Sequence, residues 1–293
     1  GLGGRLDTTS TVDHLLSVIT HIGLEHTDVL GSTLTAIAGE KAAAIRDHGL
    51  VVSAAQQSEA RRVITTEVLK KTALLFLEGV DFNAGSVSCS TSATTFDYQG
   101  IFEDLSQVRV PLLGAHQADN AATALAACEC LRDFCGFEVD ASAMREGLAK
   151  VHWPGRVQLL QKEPPLIVDS AHTPCSAEAL AEFLRSVFPG RRAILVLGVS
   201  ADKDLPGILA PLVPLARRVM ATQSSHPRAL PAEDVAAAGQ AAGLTVDLRR
   251  EPAEALEAAL QAAGSEDLVC VTGSLFVAAE ALAAYGQAPG EGE

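Results

Sequence analysis

SVITHIGLEHTDVLGSTLTAIAGEKAAAI, residues 17–45, decides how the first half of this chain is read. An apolar run at 15–19 leads through a polar turn at 21–31, with Gly23 and Gly31, into an amphipathic stretch. A short apolar run of this kind makes a buried strand, and the glycine-bearing turn after it is the loop that the strand delivers. Leu34, Ile37, Ala38, Lys41 and Ile45 then recur at helical spacing over 33–45, with Ser32 placed as the N-cap. Lys41 therefore faces partly inward. A lysine there must be paired, modified or snorkelling, because an isolated buried charge is very costly, and on pattern alone snorkelling is the simplest account. His26, Asp28 and Lys41 gathered around one strand and one helix suggest a metal and phosphate site.

Composition bounds the rest. A chain of 293 residues, 48% hydrophobic, can bury a large core and is expected to form two globular units. A net charge of −14 argues against nonspecific nucleic-acid binding, which needs a basic face to displace condensed counterions. Any anionic ligand must then be held by a few local cations. With no membrane-length apolar run and no basic leader, the expectation is a soluble, cytoplasmic protein that is a monomer and binds no membrane. Six cysteines scattered without framework spacing are read as reduced thiols. Cys128, Cys130 and Cys135 lie in a helical pattern, where positions two apart point to different faces, so they are not read as a zinc site.

Apolar runs at 50–54 and 74–77 alternate with helical patterns, and a Ser/Thr-rich stretch at 85–95 reads as antiparallel strands and turns. HQADNAATALAACEC, residues 116–130, is an Ala-rich helix. The pattern breaks at Trp153, Pro154 and Gly155, the expected domain boundary, giving domains 1–153 and 154–293. Beyond it, strands are expected at 166–168, 193–198, 218–221 and 268–272 with helices between, which implies a parallel α/β sheet. Ligands in such sheets sit outside the carboxyl ends of the strands. Polar clusters at 169–173, 200–204, 222–228 and 272–274 occupy those ends.

Eight ordered motifs carry a family resemblance: GLGGRLDTT (1–9), IGLEHTDVLGSTLTAIAGEKAAAI (22–45), LLGAHQADNAATALAA (112–127), WPGR (153–156), DSAHTP (169–174), ADKD (201–204), HPRA (226–229) and TGSLF (272–276). Together they resemble folylpolyglutamate synthase and dihydrofolate synthase of the Mur ligase superfamily, over essentially the whole chain. The resemblance implies a partial central ATPase domain, a mixed sheet with helices plus a small antiparallel part, followed by a Rossmann-like α/β carboxyl-terminal glutamate-ligase domain. It also implies an ATP-dependent reaction in folate biosynthesis. A folate or dihydropteroate carboxylate is phosphorylated, and the amino group of L-glutamate attacks the acyl phosphate, releasing ADP and phosphate. Such chemistry rests on positioning and charge neutralisation, hence ATP with Mg2+ at two sites.

By the same resemblance, His26 is a magnesium ligand, and Lys41 is the lysine that becomes carbamylated, exchanging a cation for an anionic oxygen ligand suited to a hard metal. Lys41 and His172 would be catalytic. Asn120 would read the adenine edge, a task for an amide with both donor and acceptor. Arg156 would contact the ATP phosphates through its planar fork, and Asp169 would meet the nucleotide. His172, Ser274, His226 and Arg228 would face the glutamate. Each position also has a plainer reading: helix capping for His116 and Gln117, a solvated surface Arg156, a helix N-terminal acid for Asp169, and a turn or cap for Ser274. Asp28 becomes a loop residue.

The chain departs from the family in three places. Ser170-Ala171-His172-Thr173 stands where the family has Gly-Ala-His-Asn, and a threonine cannot copy an amide's paired donor and acceptor. Ser10 stands where asparagine is common. No GxxGKS/T phosphate loop occurs in the sequence. In the family that loop and a magnesium-ligating Glu precede GLGGRLD, so the chain reads as an amino-terminally truncated ligase expected to be inactive alone. Two alternatives stay open: a noncatalytic remnant that binds nucleotide or glutamate, and a Mur-type ligase of cell-wall or storage peptides.

Overall fold

The computed structural model describes residues 3–4 and 8–286. Gly1, Leu2, Arg5, Leu6 and Asp7 of the first motif lie outside the described residues. The chain divides into two compact units: Gly1–Ser88, Thr94–Pro111 and Ala115–Val151 form one, and Cys89–Ala93, Leu112–Gly114 and His152–Glu293 the other.

In the first unit, β1 (Leu16–Ile19), β2 (Leu50–Ser53) and β3 (Leu74–Leu77) pair in that order as a parallel sheet, with Val18 opposite Val52 and Val51 opposite Leu75. Between β1 and β2 run α1 (Thr27–Leu30) and α2 (Leu34–Ala42), and α3 (Ser58–Lys70) follows β2. Ile37, Ala38 and Ala42 of α2 and Ala60, Ile64 and Val68 of α3 bury against Ile19 and Val51. Fully burying an isoleucine such as Ile37 or Ile64 stabilises the fold by about 1.5–3 kcal/mol. The N-cap of α2 is Thr33, not Ser32: its extended backbone lets the side chain accept the Ala36 N–H at 3.2 Å, one residue later than the pattern placed it.

The Ser/Thr-rich stretch forms a second, small sheet, β4 (Asn83–Cys89), β5 (Thr94–Gln99) and β6 (Leu105–Val110), in that order, with β5 and β6 antiparallel. α4 (His116–Cys135) lies against β1, β2 and β5 and ends at Gly136, whose φ of 75° suits a left-handed helix stop. α5 (Ala141–Ala149) packs on β6.

The second unit holds β7 (Gln158–Lys162), β8 (Pro165–Val168), β9 (Arg192–Leu197), β10 (Ala216–Ala221), β11 (Thr245–Leu248) and β12 (Asp267–Thr272), ordered β11-β10-β9-β12-β8-β7. The first five are parallel, and β7 closes one edge antiparallel to β8. Strand periodicity explains the helices on both faces. Ile167, Leu195, Leu197 and Cys270 face a cluster built with α6 (Pro174–Val187), α7 (Leu205–Leu209) and α8 (Ala232–Ala241). Their neighbours Leu166, Ile194, Val196 and Val271 face α9 (Pro252–Ala262) and α10 (Leu275–Ala284). Sequence pattern alone missed β7 and β11, because both are half-exposed edge strands without a continuous apolar run. Among the described residues, no helix is long and apolar enough to cross a membrane.

Candidate functional site

In the second unit, the four polar clusters all follow the carboxyl ends of parallel strands, β8, β9, β10 and β12. Glycine lets three of these loops converge. A Cβ on Gly273, φ 102°, would lie 2.5 Å from the Gly198 carbonyl oxygen, and one on Gly198 would lie 2.6 Å from that of Thr222. Backbone bonds stitch the same edge: Gly273 N–H donates to Ala171 (2.9 Å) and Asp169 N–H to Val271 (2.9 Å).

Asp169 sits 6% exposed directly after β8. One carboxylate oxygen accepts the Val157 N–H at 2.8 Å and the other the Ala171 N–H at 2.9 Å. Burial raises its pKa, opposed by those two bonds and by the charges of Arg156 and His172. Both oxygens are therefore spent on bracing the WPGR loop against the DSAHTP loop. Arg156, directly before the braced Val157, is exposed, and its guanidinium makes no hydrogen bond among the described residues. Its charge is available to an anion.

His172 Nδ1 lies 2.8 Å from the Ser170 carbonyl, which can only accept, so Nδ1 carries the proton. Thr173 has a different task from an amide. It caps α6 in a reciprocal box with Ser176 (3.2 Å), followed by Pro174 at the first helical position. Ser274 likewise caps α10, accepting the Phe276 N–H at 3.2 Å, so its plainer reading describes its hydroxyl.

The HPRA and ADKD loops pair with each other. Ser200 bridges Ala229, and Ala201 N–H donates to the Arg228 carbonyl at 2.8 Å. His226 stacks on Phe276 with ring centroids 3.8 Å apart and 13° between planes, while its Nδ1 accepts the Arg228 N–H at 3.2 Å. Ser225 is tied to Glu280 of α10 through its N–H and its hydroxyl, both at 2.8 Å. These contacts set the His226 ring on Phe276, two residues after Ser274, and join the loops that follow β9 and β10. Phe276 and Glu280, which sequence reasoning missed, supply the anchor.

In the first unit, His26 follows β1 in a left-handed backbone, φ 54°, and its carbonyl starts α1 by accepting from Val29 and Leu30. Its ring is part-exposed and lies 3.7 Å from Glu25. Lys41 is half-buried on α2. The amino-terminal segment presses on the same turn: Gly4 N–H donates to the Glu40 carbonyl at 2.6 Å, and a Cβ on Gly4 would fall 2.8 Å from the Glu40 and Lys41 carbonyl oxygens. Ser10 holds this approach by donating to the Gly4 carbonyl, which gives the departure at Ser10 a structural task. His26 offers an imidazole nitrogen, a softer donor than the oxygens magnesium prefers; Lys41 fits a hard cation only once carbamylated, since an ammonium donates and cannot ligate. No group of three His, Cys, Asp or Glu able to hold a metal occurs among the described residues.

At the start of α4, His116, Gln117 and Asn120 form a relay. Asn120 Nδ2 donates to Gln117 Oε1 at 3.1 Å, and Gln117 Nε2 lies 3.0 Å from His116 Nε2. The capping reading of His116 and Gln117 is overturned: the N-cap is Ala115, with no side-chain cap bond, because the helix opens one residue earlier than an HQ cap would need. The buried Gln117 instead fixes the orientation of Asn120, which is exposed and keeps its oxygen and one N–H for a ligand.

The carboxyl edge of β1-β2-β3 carries further groups. His21 Nδ1 meets the Ala55 carbonyl at 2.9 Å, and Gln56 ties the β1 and β2 loops through Ile22 N–H (3.0 Å) and the Thr20 carbonyl (2.9 Å). Glu78, immediately after β3, is 6% exposed and accepts the Ala55 N–H at 2.8 Å. Burial pushes its pKa up, Asp119 adds to that, and the Ala55 bond and His21 oppose it. The same strand-end rule that marked the second unit would have found Glu78 in LLFLE.

Comparison with known proteins matches residues 2–128 to the Mur ligase middle domain and 155–275 to the Mur ligase, glutamate ligase domain. The dihydrofolate synthase/folylpolyglutamate synthase of Bacillus subtilis is 33% identical over 279 residues, 94% of this chain and 64% of that protein. The Mycobacterium tuberculosis protein of the same name is 35% identical over 83% of this chain and 52% of its own length. The chain thus spans between half and two thirds of these curated relatives. Among solved structures, M. tuberculosis folylpolyglutamate synthase complexed with ADP and AMPPCP superposes with a TM-score of 0.90 at 33% identity, covering 98% of this chain and 67% of that one. Escherichia coli FolC in complex with DHPP and ADP gives 0.86 at 32% identity, covering 98% and 65%.

Proposed function

Because the chain belongs to the Mur ligase family, in its folylpolyglutamate synthase and dihydrofolate synthase branch, we propose that it serves an ATP-dependent ligase joining L-glutamate to a folate or dihydropteroate carboxylate. A carboxylate is a poor acyl donor until one oxygen becomes a phosphate leaving group. Transfer of the γ-phosphoryl group to it forms the acyl phosphate. The glutamate amine then attacks the acyl carbon, the C–N bond forms as the C–O bond to phosphate breaks, and ADP and phosphate leave.

The relay that orients Asn120 is the single observation that carries the nucleotide part of this reading. It holds an exposed amide with one donor and one acceptor free, the pair an adenine edge requires. Arg156, on the loop whose next residue Asp169 braces, supplies a cation for phosphate oxygens. Asp169 acts by positioning rather than by touching the nucleotide. His26, and Lys41 as a carbamate, would hold magnesium, which when bound neutralises phosphate charge. His172, His226 and Arg228 would receive the glutamate, with Ser274 shaping its loop as a cap.

Titration calorimetry of the 293-residue chain with ATP tests the nucleotide part. Asn120→Ala is expected to weaken ATP binding about tenfold or more, the loss of a paired donor and acceptor. Absence of ATP binding by the parent chain, or unchanged affinity in Asn120→Ala, would refute it.

A further inference from the structure

Three phenylalanines of the first unit stay half in water: Phe102 on the β5–β6 loop, Phe134 in the last turn of α4 and Phe137 just beyond it, at 49%, 48% and 49% exposure. One such ring is ordinary, but a group of them marks a surface. Phe102, Phe134 and the part-buried Phe76 of β3 hold one another, with ring centroids 5.8 to 6.3 Å apart and planes tilted or edge-on. Their backbone is pinned as well. Glu129 accepts the Phe102 N–H at 3.2 Å, and past the Gly136 helix stop the Phe137 N–H folds back to the Leu131 carbonyl at 3.2 Å.

The segments 101–104 and 131–140 that carry these rings also carry five exposed carboxylates, Glu103, Asp104, Asp133, Glu138 and Asp140, against one cation, Arg132. Arg132 is already paired with Glu103 (3.1 Å) and Asp133 (2.9 Å). Glu103, Phe137, Glu138 and Asp140 line a groove of about 730 Å³ at the amino end of α5. Taking about 200 Å² for a whole phenylalanine, three half-exposed rings offer about 300 Å², the scale of apolar patches that serve as interaction sites. A second copy does not fit: a stable dimer buries about 800 Å² per partner, and a two-fold contact would set these carboxylates against themselves. Nucleic acid and anionic lipid are repelled for the same reason. We propose that this face docks a basic segment of another protein, which lays an apolar side chain on Phe102 and Phe134 and sets a lysine or arginine in the acidic groove. The small area makes it a weak, transient contact.

Fluorescence anisotropy with a labelled helical peptide, leucines on one face and lysines on the other, tests it against oligolysine and against the same peptide with glutamate for lysine. The chain should bind the leucine–lysine peptide about tenfold or more tighter than either control, and less tightly as salt rises. Phe102→Ser/Phe134→Ser should weaken that binding about tenfold or more, as loss of aromatic anchors does. Glu138→Lys should weaken it about fivefold, while Glu257→Lys, the same charge change on α9 of the second unit, stays within about twofold. No binding by the parent, equal binding of oligolysine, or affinities within about twofold in both Glu138→Lys and the phenylalanine variant would overturn the assignment. Should the phenylalanine variant fail to fold, the exposed Glu138→Lys decides against Glu257→Lys. Sedimentation that shows a dimer lost in Glu138→Lys would give the face to a second copy and overturn it too.

Discussion

Replacing Asp169 by asparagine separates a brace from a ligand contact. Both carboxylate oxygens accept backbone N–H groups, from Val157 at 2.8 Å and Ala171 at 2.9 Å, in a site 6% exposed. An amide oxygen keeps one of these, while the amide's NH2 faces the other donor. The orphaned N–H costs about 1–3 kcal/mol, and the surviving bond drops from charge-assisted to neutral, about 1 kcal/mol more. Relief of carboxylate burial offsets part of this, since burial raises the Asp169 pKa. The net loss is about 2–3 kcal/mol. Trp153, the single tryptophan, is 62% exposed in the fold and reports little change on unfolding, so far-UV circular dichroism follows the transition in urea. At a slope of about 2 kcal/mol/M the midpoint should fall by about 1–1.5 M. A midpoint within about 0.3 M of the parent at equal slope, combined with weaker ATP binding, would refute the brace and restore Asp169 as a direct nucleotide contact.

Two further predictions concern the first unit. Glu129, 1% exposed, accepts from Tyr98 OH (2.7 Å) and from the N–H groups of Ile101, Phe102 and Glu103 (2.9, 3.2 and 2.9 Å), locking the β5–β6 loop. Glu129→Gln must orphan at least one of these donors, and a loss of about 2–4 kcal/mol is expected with faster hydrogen exchange at residues 101–103; unchanged exchange there would contradict the lock. For Glu78, burial raises the folded pKa above that of the unfolded chain, so its contribution is fully present below about pH 4.3 and is lost as pH rises through the folded value. The urea midpoint of the parent should therefore gain on that of Glu78→Gln as pH falls through this window, and a pH-independent difference would count against the linkage.

Sequence by itself determined what repeats locally. The strand at β3, the Ala-rich α4 and four parallel strands of the second unit follow from apolar runs and periodicity, because continuous burial on both faces writes itself as continuous hydrophobicity. Motif order gave the family and the candidate residues. What the sequence could not give is which polar atoms are already spent. Asp169, Ser274 and Thr173 look like ligand contacts in their motifs, yet their oxygens meet backbone N–H groups, and those partners are fixed only when separate loops are brought to one sheet edge. The reverse holds for Glu78, whose neighbours His21, Ala55 and Asp119 come from three distant segments. A hydrogen bond commits an atom at about 3 Å, a distance set by tertiary packing rather than by sequence spacing.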